Sequence, residues 1–333
     1  MSGPPDRVDE RLESLLEHHR RLGESEVKSY YSSKRGSYPP EQAGDERERF
    51  AIAFAGVGGD VHPVGDFERL FLLQSISKVF AYALALADRG RDEVLERVGV
   101  EPSGEAFNSI AFDEHSHTPF NPMVNSGAIV TTNLIAGADA DEKLERILEL
   151  VRGFAGNPAI DIDEDAARDE LAISDHNRAT AYLMRSEGML DGDVESIVSL
   201  YLRQCSIRLD TRDLAMLAAT LANGCVCPRS GERVLPVSVV RDVLSVMHTC
   251  GMYDAAGQWA FDVGLPAKSG VSGGIMAVIP GKGGIGVWSP GLDAHGNSVR
   301  GVRVCREVSE RLGLHLLAAE TEDAFVGDAA PRS

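Results

Sequence analysis

The chain has 333 residues, 43% of them hydrophobic, enough for one large core or two abutting ones, which excludes wholesale disorder. Its 51 acids against 33 bases leave a formal charge of −18, which opposes nonspecific attraction to nucleic acid or an anionic membrane. The first 24 residues are polar where an apolar signal segment would sit, and the longest apolar stretch, Val79 to Ala87, falls far short of the roughly 20 residues of a membrane span. The expectation is a soluble cytosolic protein with neither a nucleic-acid nor a membrane partner.

In chain order, residues 1–24 predict a charged helical leader with a thin stripe of Val8, Leu12, Leu15 and Leu16, suited to docking on the body or on a second subunit. Residues Phe50 to Ala55 and Phe67 to Leu73 read as two strands of an antiparallel hairpin around the turn at Gly56 to Gly59. Ser75 to Asp88 is rich in Ala and Leu and predicts a helix stopped by Gly90. Helices are then expected over Asp141–Arg152, Glu164–Ser186, Asp193–Gln204 and Thr211–Ala222, the last capped by Asp210. Strands are expected over Gly274–Val278, Ile285–Trp288 and Val299–Val304, followed by a helix through Leu317 and a loose acidic tail over 319–333. The β-rich ends, 25–92 and 247–318, flank a helical subdomain over 93–246 within a single α+β unit.

Five cysteines, at 205, 225, 227, 250 and 305, lack zinc-ligand spacing, and Cys225-Val-Cys227 lacks the two-residue gap of a metal or redox pair. They read as ordinary reduced thiols. Ser75-Ile-Ser-Lys78 lies where an apolar strand meets an apolar helix. A serine hydroxyl needs a base, and a lysine three positions on along a helix faces the same side, where burial makes its neutral amine accessible. Alone the pattern is weak, since Ser25 to Lys28 repeats it in a charged stretch. Lys268-Ser269-Gly270, followed by Val271-Ser272-Gly273-Gly274 and a strand, resembles the Lys-Thr/Ser-Gly strand of serine β-lactamases and penicillin-binding proteins.

Between these anchors stand Glu101-Pro-Ser-Gly104 with Phe107 and Asn108, Asn121-Pro-Met-Val-Asn-Ser-Gly-Ala-Ile129, Tyr201 with Cys205, and Gly251-Met-Tyr253. Gly264-Leu-Pro-Ala-Lys-Ser-Gly-Val271 and Val287-Trp-Ser-Pro290 complete the set. Taken in order over Glu26 to Leu316, the sequence resembles the serine-dependent glutaminases. The resemblance implies a β-lactamase/transpeptidase-like fold, an antiparallel sheet flanked by helices plus a helical subdomain. It also implies hydrolysis of L-glutamine to L-glutamate and ammonia, with no cofactor and no metal, by a homodimer or homotetramer.

Carried over residue by residue, the resemblance makes Ser75 the nucleophile that forms a glutamyl ester, Lys78 its base partner and Tyr253 a proton carrier. The backbone N–H groups of Ser75 and Val271 correspond to the oxyanion donors. Asn125, Glu170, Asn177 and Tyr201 line the α-amino-acid end of the substrate, Glu170 pairing the ammonium, and Tyr30 is a further contact. Two stretches depart from the family pattern: Ser174-Asp-His-Asn177 replaces the usual Ala-Arg-Asn, leaving His176 as a surface residue, and Ser32 to Glu48 is longer and more polar. Three other readings compete. His115-Ser-His117 with Asp113 and Glu114 suggests a metal enzyme, the Ser-x-x-Lys pair a hydrolase of β-lactams or peptides, and an intact pocket a noncatalytic glutamine sensor.

Overall fold

The computed structural model describes residues 6–20, 28–29, 48–105, 108–113 and 116–318. Its centre is an antiparallel sheet of β2 (Ala51–Gly56), β3 (Val61–Gly65), β7 (Ala267–Ser269), β8 (Gly274–Ile279) and β9 (Gly283–Trp288), in the order β3-β2-β9-β8-β7. The N- and C-terminal parts of the chain therefore meet at the β2–β9 seam, where Ala51 pairs with Trp288 and Gly56 with Gly283. Both faces of the sheet's middle are covered, so β2, β8 and β9 are near-continuously apolar instead of alternating with polar residues. Along β8, Ile275, Ala277 and Ile279 enter one core, and Met276 and Val278 enter another.

One face carries α1 (Asp6–Arg20) and α12 (Val299–Leu312), with Leu12, Leu15 and Leu16 buried against Ile52, Ile285 and Val308. The other face carries α9 (Thr211–Ala222), buried along its whole length and capped by Asp210, which accepts from the N–H groups of Arg212 and Asp213. The helix approaches so closely because β9 offers glycines: a Cβ at Gly284 would stand 2.4 Å from Ala218 Cβ and from Ala219 N. Gly284→Ala is accordingly expected to lower unfolding stability by about 2–3 kcal/mol, measured by urea denaturation, with the slope of the transition unchanged.

Beyond α9 lie α2 (Ser77–Arg89), α4 (Asn125–Leu134), α5 (Ala140–Ala155), α6 (Glu164–Ala172), α7 (Asp175–Ser186), α8 (Val194–Cys205) and α10 (Ser238–Cys250), with the short α3 (Arg91–Leu95) and α11 (Ala256–Asp262). Asp139, Asp163, Asp193 and Ser298 each accept from a first-turn N–H of the helix they precede, which fixes where α5, α6, α8 and α12 begin.

Three expectations are corrected. Val299–Val304 is the first half of α12: Arg300 and Gly301, Val304 and Cys305, and Val308 and Ser309 are buried at a four-residue spacing, which the short run of alternating valines disguised. The partner of β2 is Val61–Gly65, whereas β4 (Phe71–Leu72) pairs away from it with β6 (Ile207–Leu209), itself next to β5 (Asp161–Ile162). Glu164–Ser186 is two helices, because Ser174 Oγ donates back to Leu171 O at 2.8 Å and the ladder restarts at Asp175. The short strands β1 (Lys28–Ser29) and β10 (Gly291–Leu292) pair with each other. All five cysteines are free and buried, and among the described residues no helix is long and apolar enough to cross a membrane.

Candidate active site

Ser75 sits in a 3₁₀ turn, Gln74–Ile76, that runs straight into α2, and it is 6% exposed. Lys78 follows one turn later, fully buried. Its Nζ donates to Asn125 Oδ1 at 2.7 Å and to Met123 O at 3.2 Å. Burial disfavours the ammonium and brings its pKa from 10.5 down to about 8, against a small opposing effect of Cys205.

The Asn121–Ile129 motif explains how those acceptors reach Lys78. Asn121 Oδ1 accepts from the N–H groups of Met123 and Val124 and so folds the chain tightly before α4. A Cβ at Gly127 would stand 2.0 Å from Asn121 O, so the glycine admits this turn. Asn125 then opens α4 with its carboxamide between Lys78 and Asn177, donating to Asn177 Oδ1 at 3.1 Å. Tyr201, on α8, donates to Asn125 Oδ1 at 3.2 Å.

Tyr253 arrives from the opposite side. Gly251 permits the crossing of α10 over β7, since a Cβ there would meet Ala267 O at 1.7 Å. The Tyr253 hydroxyl lies within hydrogen-bonding reach of the Ser75 side chain and donates to Ser269 O at 2.9 Å. Burial raises the phenol well above its ordinary pKa of 10, which keeps it protonated. Tyr253 (φ +57°) and Gln74 (φ +50°) are two of four described non-glycine residues with left-handed backbone, and both bear directly on Ser75. Such conformations persist where the surroundings over-determine them, as they do here.

The turn after β7 brings Val271 to the same place. A Cβ at Gly270 would stand 3.0 Å from Leu73 O and 3.4 Å from Ile76 Cγ1, so the glycine lets this turn close on the serine turn without pressing it back by a few tenths of an ångström. Trp288, stacked on Phe71 at 5.3 Å, donates its indole N–H to Ser272 O and braces the turn from behind. Val271 is half-buried. Glu170, at the end of α6, and Asn177, in the first turn of α7, are half-buried across the helix break. Glu170 acts electrostatically on Tyr201, in the direction of the dominant burial effect that raises that phenol.

Thus Lys78, Asn125, Asn177 and Tyr201 are joined in one hydrogen-bonded group, Tyr253 reaches Ser75 beside it, and Glu170 is within electrostatic reach. A cavity of about 130 Å³ opens beside it, lined by Ser103, Glu105, Val124, Tyr253 and Asp254. Tyr30 lies outside the described residues, as do Glu114 and His115 of the alternative metal motif. Asp113 accepts from the backbone and hydroxyl of Ser116, and exposed His176 bonds to Asn108 O, tying α7 to that loop. Another His and Glu group, His18, His19 and Glu307, holds ligand atoms within 4.8 Å of one another, but it joins α1 to α12 and has no part in this site.

Lys268 was not expected among the site residues, although its motif was. It is fully buried, its Nζ 4.1 Å from the Tyr253 ring centroid and donating at 2.8 Å to Ser269 O, the carbonyl that also accepts from Tyr253. Burial, with the nearby Lys78 charge, brings its pKa well below 10.5. The signal was Lys268 itself in an apolar strand, Ala267–Ser269, where a buried lysine needs a reason.

Residues 34–317 match the glutaminase family. The chain is also 54% identical over 290 residues to the glutaminase of Trichormus variabilis, covering 86% of each, and 45% identical over 307 residues to glutaminase 2 of Clostridium perfringens, covering 92% of this chain and 98% of that one. This chain belongs to the glutaminase family. Solved structures of glutaminases have the same fold: a probable glutaminase, ybaS, superposes with a TM-score of 0.88 at 37% identity, over 95% of this chain and 100% of that one. A Bacillus glutaminase crystallised in 4.3 M NaCl gives 0.82 at 34% identity, over 93% and 99%. The α+β architecture expected of a glutaminase, an antiparallel sheet flanked by helices, is therefore the one present.

Proposed function

We propose that the chain hydrolyses L-glutamine to L-glutamate and ammonia through a serine ester. The observation that carries this reading is the meeting of Tyr253 and Ser75 at a buried site that also holds Lys78, a lysine whose neutral form is within reach near neutral pH. Ser75 Oγ attacks the γ-amide carbon, and its proton passes to the Lys78 and Tyr253 pair. The tetrahedral oxyanion is held by the N–H groups of Ser75 and Val271, in the two turns that Gly270 brings together. Tyr253, kept protonated by burial, returns a proton to the leaving ammonia, and water then attacks the ester by the reverse sequence. Lys268, over the Tyr253 ring, shares the carbonyl that holds the phenol in place. Asn125, Asn177, Tyr201 and Glu170 receive the α-carboxylate and α-ammonium, Glu170 supplying the negative charge.

Ammonia and glutamate release from L-glutamine, with L-asparagine and a chromogenic β-lactam in parallel, tests this reading. Glutamine turnover at least 10-fold faster than asparagine turnover, and none of the β-lactam, is the expected result, the lower bound being what one methylene supplies. β-Lactam turnover would move the chain to the penicillin-recognising hydrolases, and tight glutamine binding with no ammonia would make it a sensor.

A further inference from the structure

Tyr253 holds a backbone conformation that its own segment does little to enforce. Its φ of +57° is left-handed, which a non-glycine residue keeps only where its surroundings fix it. The 3₁₀ turn it opens, Tyr253–Ala255, is a single turn, closed by Ala255 N–H to Met252 O at 3.2 Å. Support from outside comes from residues 293–297, which link β10 to α12 and take no part in the proposed reaction.

Asp293 folds that loop on itself. Its Oδ1 accepts from the N–H groups of His295 and Asn297, each at 2.9 Å, and its own N–H donates to Asn297 O at 2.8 Å. Leu292 and Ser298 bridge the base of the loop, and Ser298 both caps α12 and donates to Ser289 O at 2.8 Å. The loop therefore stands on the end of β9 and the start of α12. From there it reaches both neighbours of Tyr253. His295 Nδ1 forms an ion pair with Asp254 Oδ2 at 2.9 Å, and Asn297, buried, donates from Nδ2 to Met252 O at 3.4 Å. Contact with Asp254 raises the imidazole above its ordinary pKa and so favours its charged form. Asn297 Oδ1 is buried without a hydrogen-bond partner among the described residues, a cost that a purely packing side chain would not carry.

We propose that Asn297 and His295 are positioning residues for Tyr253. By holding Met252 and Asp254 they fix the turn from which the phenol reaches Ser269 O beside Ser75. This inference rests on the glutaminase reading above. Neither side chain lines the cavity beside the site, so their loss should act on proton transfer by Tyr253 and not on substrate affinity. The competing role is structural alone, a loop that seats the first turn of α12.

Glutamine kinetics of three variants, with urea unfolding beside them, separate the two roles. Asn297→Leu keeps the volume and removes both the bond and the unpartnered oxygen. It is expected to lower kcat about 10-fold, the equivalent of one hydrogen bond, with KM within about 2-fold of wild type and no loss of stability. His295 is exposed, so His295→Ala leaves the fold in place; kcat is expected to fall about 5-fold, the most that an exposed ion pair supplies, again with KM within about 2-fold. His295→Asn keeps a donor close to where Nδ1 stands and is expected to bring kcat back to within about 2-fold. Wild-type kcat in His295→Ala, a loss carried by KM, or equal loss in His295→Asn and His295→Ala overturns the proposal and leaves glutamine hydrolysis standing. Absence of glutamine turnover by the wild type removes both together.

Discussion

Ser75→Ala should abolish glutamine turnover, with kcat lower by about 10⁴-fold or more, while the protein remains folded. Loss of a nucleophile removes the covalent route outright, and what survives is the smaller rate enhancement of a binding pocket with an oxyanion hole. The fold should be indifferent, because Ser75 occupies a 3₁₀ turn whose backbone bonds, including Ile76 N–H to Leu73 O, do not involve its side chain. The measurement is ammonia release set beside thermal unfolding. Residual activity within 100-fold of wild type would mean that another group attacks the amide, and would end the ester mechanism.

Lys78→Met should lower kcat by about 10³-fold and remove the alkaline rise in kcat/KM, the range expected for loss of a positioned base. In the wild type kcat/KM should rise with pH through about 8, as the buried ammonium gives up its proton. Stability should respond to the same titration. The group's pKa is about 8 folded and 10.5 unfolded, so below about pH 8 both states are charged and the folded one bears the full penalty of a buried ammonium. Between about 8 and 10.5 the unfolded chain holds a proton that the folded one has released, and stability rises with pH. The gap corresponds to about 3 kcal/mol, so the wild type should gain on Lys78→Met by up to that amount across this window and by nothing below it. Parallel pH dependences of the two melting temperatures would show that Lys78 is charged in the folded protein throughout.

Most of the site could be read in the sequence because its residues lie in short segments with unusual local demands. Asn121 to Gly127 is a side-chain-capped turn that only a small residue can pass, and Gly251 to Tyr253 is a crossing that only glycine permits. Tertiary packing decided what was misread. Val302 and Val304 alternate around Arg303 as they would in a strand, and the burial that selects the helix instead comes from β8 and β9. Phe71 and Leu72 have strand composition, but their partner, Ile207–Leu209, lies far along the chain and was not visible from the residues around them. The depth of Lys268 in the sheet cannot be read from its motif, because the full burial of β7 comes from tertiary packing.

The β2–β9 seam has a consequence for the order in which the protein is made. Ala51 pairs with Trp288, so the central strand of the sheet is missing until the last quarter of the chain has been synthesised. Closing a loop of that length is slow and entropically unfavourable, and nothing local offsets it. The helices between residues 125 and 250 can form while the ribosome is still translating, but β2 and β3 must wait as an unsupported hairpin with an open edge. Because the turn carrying Val271 closes on Ser75 only when β8 and β9 are in place, a nascent chain has no working pocket. The activity switches on in one late step, with completion of the sheet.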